Sequence, residues 1–211
     1  MKPATFELTE ARTAIAEAAA WRLLALLLAR PRPGWVEEIE VLAEELADGD
    51  LKELSKKSGE AREGVYLGLL GPGGPVSPRE CSYYPLRDPS TILADLSGFY
   101  KAFAFDIENE EPLDHISTEL DFVSYLSIKQ AYAQASKDEE ARDITAQALH
   151  KFFEDHLREF SELFTQRLDL LGSTYLLPIA QALQRKVQSR NGHGKDSVPL
   201  SASSGAGAPE Q

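Results

Sequence analysis

Asp114 and His115 are adjacent, and an Asp–His couple can exchange a proton as acid and base. No third side chain stands near them in sequence to orient the imidazole, so a hydrolase built on this pair is a secondary alternative. His115 and Glu119 are four residues apart and share a helix face. They would supply two metal ligands where a stable site wants three or four, so no metal is expected. His150 and His156 are six apart, which puts them on different faces of a straight helix. Cys81 is the single cysteine; it can form no internal disulfide, and nothing beside it signals an activated thiolate. The loops GxxxxGK[ST] and GxGxxG are absent, as are GxSxG and HExxH. Gly71-Pro72-Gly73-Gly74 lacks the Lys and hydroxyl of a phosphate cradle. The expectation is a protein that is not an enzyme, with no catalytic residues and no cofactor.

The chain around Asp114 is strongly acidic. Between Ala102 and Ile128 lie Asp106, Glu108, Glu110, Glu111, Asp114, Glu119 and Asp121, with no Lys or Arg. Such a run is commonly a solvated face. Within it Pro112 sets a turn, and Asp114 stands where the N-cap of the next helix belongs. His115 then falls in the first turn, where the helix dipole disfavours its cation. Read functionally, the same acids form a rim that accepts an Arg-bearing peptide through bidentate pairing. Asp114 is the first candidate for an Arg partner, with Glu119 and Asp121 in support. An apolar groove would be lined by Tyr66, Leu69, Leu70, Tyr83 and Tyr84. Core packing is the alternative for these five, more so for Leu69 than for the tyrosines.

The elements that must position these residues read as helices. The 211 residues carry 34 acids against 22 Lys and Arg, a net charge of −12. That balance argues against nucleic acid and anionic lipid as partners, and favours a basic one or simply solubility. The densest apolar stretch, Ala18–Ala29, contains Arg22 and is too short to cross a bilayer. No alternating strand pattern is present. The spacing predicts helices over about 9–30 with Thr9 as N-cap, 35–47, 51–57, a segment ending at Leu70, 90–105, 115–135, 137–153, one containing Leu157 to Leu171, and 175–187. The irregular stretch Gly71–Pro89, rich in Gly and Pro, is long enough to suggest a functional loop. The fold class is therefore all-α: one compact domain of eight or nine helices over residues 1–190. Residues 191–211, rich in Gly, Ser and Ala, form a flexible low-complexity tail.

The unit Glu111-Pro112-x-Asp114-His115, followed by a helix, resembles the E-P-x-D-H motif of the TorD/DmsD/NarJ family of redox-enzyme maturation chaperones. Tyr66-x-x-Leu69-Leu70-x-Pro72 resembles the family's aromatic-x-x-Leu-Phe element, with Leu70 in place of Phe. Pro78 to Tyr84 resembles the loop that carries Glu-Ser before an aromatic, here with Cys81 between Glu80 and Ser82. Trp21-x-x-Leu24-x-x-Leu27 is similar to the first-helix pattern, and His156-Leu157 to the late His-Leu that opens a helix. The Gly-Pro-Gly-Gly loop and the segment Gly98–Phe105 look most like the subgroup serving type II dimethyl-sulfoxide-reductase-like enzymes. The resemblance covers about Thr9 to Val187. It implies a cytoplasmic chaperone that binds the twin-arginine leader, and often the immature body, of a molybdopterin-dependent catalytic subunit. It delays export until the cofactor is in place. Glu111, Pro112, Asp114, His115, Glu119, Asp121, Tyr66, Leu69, Tyr83 and Tyr84 would form the peptide site. No nucleic acid and no stable membrane insertion are expected. The chain would be a monomer or a dimer swapped at the loop Asp106–Asp114. A generic helical adaptor for an amphipathic helix is the chief alternative. Asp114→Ala is expected to weaken leader binding while costing about 1 kcal/mol or less of stability.

Overall fold

The computed structural model describes residues 3–107, 111–172 and 174–190. Its elements are α1 (Pro3–Leu28), α2 (Trp35–Glu45), α3 (Gly49–Ser55), α4 (Glu63–Leu70), α5 (Pro89–Ala102), α6 (Ile116–Ser136), α7 (Glu139–Phe152), α8 (Arg158–Asp169) and α9 (Leu176–Ser189). Among the described residues there is no strand, and one isolated antiparallel bridge joins Arg79 to His115. The fold is all-α, and one continuous core runs from Ala20 to Val187. The tail expected over 191–211 lies outside the described residues.

The antiparallel pair α1 and α6 is the axis of the molecule. Ser124 Oγ donates to the Ala18 carbonyl at 2.8 Å, and Arg22 reaches Asp121 one turn further along α1. From Ala18 to Leu28 only Ala19 and Arg22 escape full burial, because α1 is apolar on every side there and has neighbours on every side. In α6 the buried positions also cover more than one face, among them Phe122, Val123 and Leu126. Phe122 meets the rings of Tyr100, Phe105 and Phe152. Truncating it to Ala would cost about 3–5 kcal/mol in lost transfer energy and cavity. Trp35 donates its indole N–H to the Leu26 carbonyl at 2.8 Å, tying α2 beneath α1.

Several boundaries differ from those the spacing predicts. The first helix begins at Pro3, so Thr9 is interior; proline suits a first turn, where its missing N–H has no intrahelical acceptor to lose. It ends at Leu28 ahead of Arg30-Pro31, where a following proline disfavours helical backbone. The third helix starts at Gly49, because Asp48 caps it by accepting from the Asp50 and Leu51 amides. The fifth stops at Ala102, since Ala104 adopts a left-handed φ of 52°. Tyr125 holds that reversal, donating its hydroxyl to the Phe103 and Ala104 carbonyls. His156-Leu157 opens no new helix: α7 passes through a π-helical turn, Phe153–Leu157, into α8. The wide turn leaves His156 buried while His150 is exposed. The Gly-Pro-Gly-Gly loop closes α4 tightly. A Cβ on Gly71 would sit 2.4 Å from the Leu67 carbonyl oxygen, and Gly73 takes φ 83°.

Candidate functional site

The motif residues form a buried polar knot. Pro112 starts the turn, with the His115 amide donating to its carbonyl at 3.1 Å. The stretch Pro78–Glu80 then pairs with it like a one-rung sheet. The Glu80 amide donates to the Asp114 carbonyl at 2.8 Å, and the Ile116 amide to the Pro78 carbonyl at 2.8 Å. From α5, Tyr100 donates its hydroxyl to the Leu113 carbonyl. Asp114 is 0% exposed. Its carboxylate accepts from Arg79 Nε at 2.9 Å and from the Cys81 amide at 3.3 Å.

His115, not Asp114, is the N-cap of α6. Its Nδ1 accepts from the Ser117 amide at 3.2 Å. Burial pushes the imidazole down to about 4, against the upward pull of Asp114, so the ring is neutral at pH 7. With Nδ1 as acceptor, the proton is assigned to Nε2. That nitrogen faces the Tyr66 hydroxyl at 3.1 Å, and Tyr66 donates in turn to the Leu28 carbonyl at 3.3 Å. One histidine thus links the start of α6, the middle of α4 and the end of α1.

Glu80 and Glu119 are likewise 0% exposed. His156 Nδ1 stands 3.0 Å from Glu80 Oε2. Burial raises the Glu80 carboxyl, and the His156 contact opposes this. Neither carboxyl oxygen of Glu119 has a hydrogen-bond partner among the described residues. Burial, with Glu80 and Asp114 nearby, holds Glu119 well above the usual carboxylate range. Burial and Asp114 also push the Cys81 thiol up to about 12, which disfavours the nucleophilic thiolate. Among the described residues no group of three or more His, Cys, Asp or Glu is placed to hold a metal.

A groove of about 1100 Å³ opens elsewhere, between the end of α1 and the chain leaving α5. Its floor and walls include Arg22, Arg30, Pro31, Arg32, Phe105, Asp106, Ile107, Glu111, Asp121, Tyr125 and Ile128. Its charges are largely matched from within. Arg22 bridges Asp121 and Glu38, Arg32 also meets Glu38, and Arg30 meets Glu63. Glu111 lies 3.6 Å from His115 Nε2, so it borders both the groove and the knot. Asp106 is exposed and makes no ion pair among the described residues.

These features sit on a chain whose residues 31–166 match the family model described as "Nitrate reductase delta subunit". The chain belongs to that family. It is the NarJ/TorD-type chaperone family that the Glu111–His115 motif resembles. A solved structure, "Crystal Structure Of A Putative Redox Enzyme Maturation Protein From Archaeoglobus Fulgidus", has the same fold at TM-score 0.58. The two are 16% identical over 81% of this chain and 93% of that one. No curated protein sequence matches significantly.

In this delta-subunit-family fold the residues singled out from sequence divide into two places. Glu111 and Asp121 line the groove. Asp114, His115 and Glu119 belong to the knot and are shut off from solvent, so they are no part of an exposed acidic rim. Pro112 is exposed at the entry to the motif turn. Tyr66, Tyr83 and Tyr84 do not line the groove. Tyr66 and Tyr84 are core, Tyr83 donates to the Ser77 carbonyl at 2.7 Å, and Leu69 is only half-buried. For Tyr66 and Tyr84 this reverses the expected order, since both are core while Leu69, like Tyr83, is half-buried against it and does not line the groove either. Asp114 and His115 also form no acid–base couple: the carboxylate faces Arg79 and the ring faces Ser117 and Tyr66. Glu108 and Glu110 lie outside the described residues. The sequence reading missed Arg22, Arg30, Arg32, Tyr125 and Ile128. The signals were the Arg-Pro-Arg-Pro turn and the face Asp121, Tyr125, Ile128, which α6 leaves partly or fully open to solvent.

Proposed function

We propose that this chain is a maturation chaperone for a redox enzyme, and not itself a catalyst. It receives the twin-arginine leader of an immature molybdopterin-dependent subunit and holds it back from export until the cofactor is inserted. It does so in the cytoplasm. No helix among the described residues is long and apolar enough to cross a membrane. The observation that carries the reading is the groove, where carboxylates and apolar side chains share one wall in a member of this family.

The groove would work by exchange. A ligand guanidinium competes with Arg22, Arg30 and Arg32 for Glu38, Glu63 and Asp121, and finds Asp106 open. Exchange of like for like costs little desolvation, since those carboxylates are paired before and after. The knot backs one wall where Glu111 approaches His115, so Asp114, His115 and Tyr66 act on the peptide by positioning that wall.

Titration of the full chain with a leader peptide tests the proposal. The paired-arginine peptide is expected to bind about tenfold tighter than its lysine counterpart, because lysine cannot make the bidentate pair. Equal affinity for both, or for an unrelated amphipathic helix, would favour the generic adaptor.

A further inference from the structure

Residues 104–107 form one stretch of the groove wall, and the course of that stretch is decided at its first residue. The chain leaves α5 through a cap of defined geometry. The Phe105 amide donates to the Tyr100 carbonyl at 2.9 Å, and the Ala104 amide to the Lys101 carbonyl at 3.2 Å. That pair of bonds goes with a left-handed residue just past the helix end, and Ala104 takes φ 52° there. Glycine is the usual occupant, because a Cβ disfavours left-handed backbone. Ala104 therefore holds a conformation that its own side chain opposes.

Tyr125 on α6 supplies the counterforce. Its hydroxyl oxygen lies 3.0 Å from the Phe103 carbonyl oxygen and 3.2 Å from that of Ala104, so one proton is shared across the reversal. The Tyr125 ring also lies 5.3 Å from that of Phe105, which meets Tyr100 at 5.2 Å. Ring packing holds Phe105 in place but is not directional. The hydroxyl is directional, and it fixes the two peptide planes at the turn. Two residues on, Asp106 presents an exposed carboxylate on the groove wall. Freed from Tyr125, Ala104 is more stable in right-handed or extended backbone, and a change there redirects every wall residue that follows.

We propose that Tyr125 is a positioning residue for the groove: its hydroxyl keeps Ala104 left-handed and so sets where Phe105, Asp106 and Ile107 meet the ligand. The inference rests on the leader reading above for its ligand and adds the group that fixes the shape of one wall.

The test uses the full chain, amide hydrogen exchange at Phe105, and titration with a fluorescent peptide that carries paired arginines before an apolar run. Tyr125→Phe keeps the ring and removes the hydroxyl. It should speed exchange at Phe105 about tenfold and weaken the peptide about fivefold. Ala104→Gly added to it should return both readings towards the parent, since glycine takes the left-handed turn unaided. A simple loss of packing at Tyr125 would not be rescued from residue 104. Ala104→Val asks the same question with Tyr125 intact: a branched side chain at positive φ should open the turn and weaken the peptide. If Tyr125→Phe binds the peptide like the parent, or Ala104→Gly fails to rescue it, Tyr125 does not position the wall. The leader reading then stands as long as paired arginines outperform lysines. If the peptide does not bind the parent chain, both inferences fall.

Discussion

The buried knot and the open groove both gather acids around basic side chains, and they differ in what water can reach. In the knot, Asp114 is sealed and paired to Arg79, Glu80 faces His156, and burial holds Glu119 well above the usual carboxylate range. Such groups cannot be released to a partner without leaving a buried charge or donor unsatisfied. In the groove the pairs are exposed or half-buried, so each contributes little to stability and exchanges readily. The family motif therefore marks the part of the molecule that holds the wall, while the residues free to trade partners lie one helix away.

This contrast fails or sharpens on a graded set of variants. Asp114→Ala should have the largest effect, about 3 kcal/mol by urea unfolding, since it strands Arg79 and the Cys81 amide. That replaces the cost of about 1 kcal/mol or less expected if Asp114 were only an N-cap. If this variant unfolds like the parent yet loses the leader, the knot is itself the binding site.

The pH response of His115 comes next. Its folded value is about 4, below the ordinary value of 6.5, so the unfolded chain takes up a proton first as pH falls. Its contribution is complete above pH 6.5 and is lost on acidification from there towards pH 4, on the order of 3 kcal/mol. His115→Asn keeps a capping oxygen and removes the titration. Melts across that window should be flatter than the parent's; an unchanged slope would mean the ring is not sealed.

Glu119→Gln should act more weakly and in the opposite sense. The folded carboxyl is raised, so its favourable contribution is present below the unfolded value of about 4.5 and lost as pH rises. The amide does not titrate, so the variant should melt progressively higher than the parent from pH 5 to pH 8. Smallest in stability is Asp106→Asn in the groove. It should shift unfolding by less than about 0.5 kcal/mol while weakening the leader about threefold. A melting change larger than its binding change would erase the distinction between the two regions.

Much of this protein was legible in one dimension. Apolar spacing of three and four, with Pro and Gly between segments, determined an all-α chain and placed its helices within a few residues. The Glu111–His115 unit, with Tyr66 and Glu80, pointed to the family. Those are local properties: a helix face depends on residues within a turn or two of each other. Tertiary structure alone decided which acids of one run see water. Asp114 is sealed and paired to Arg79, 35 residues away, whereas Asp121 stays on the groove wall, paired to Arg22, 99 away. It set His115 as the cap, and it let a π turn carry His156 to Glu80, 76 residues distant. It also put the groove between α1 and α6 rather than beneath the tyrosines. Burial and pairing are sums over neighbours from the whole chain, and no window of sequence contains those neighbours.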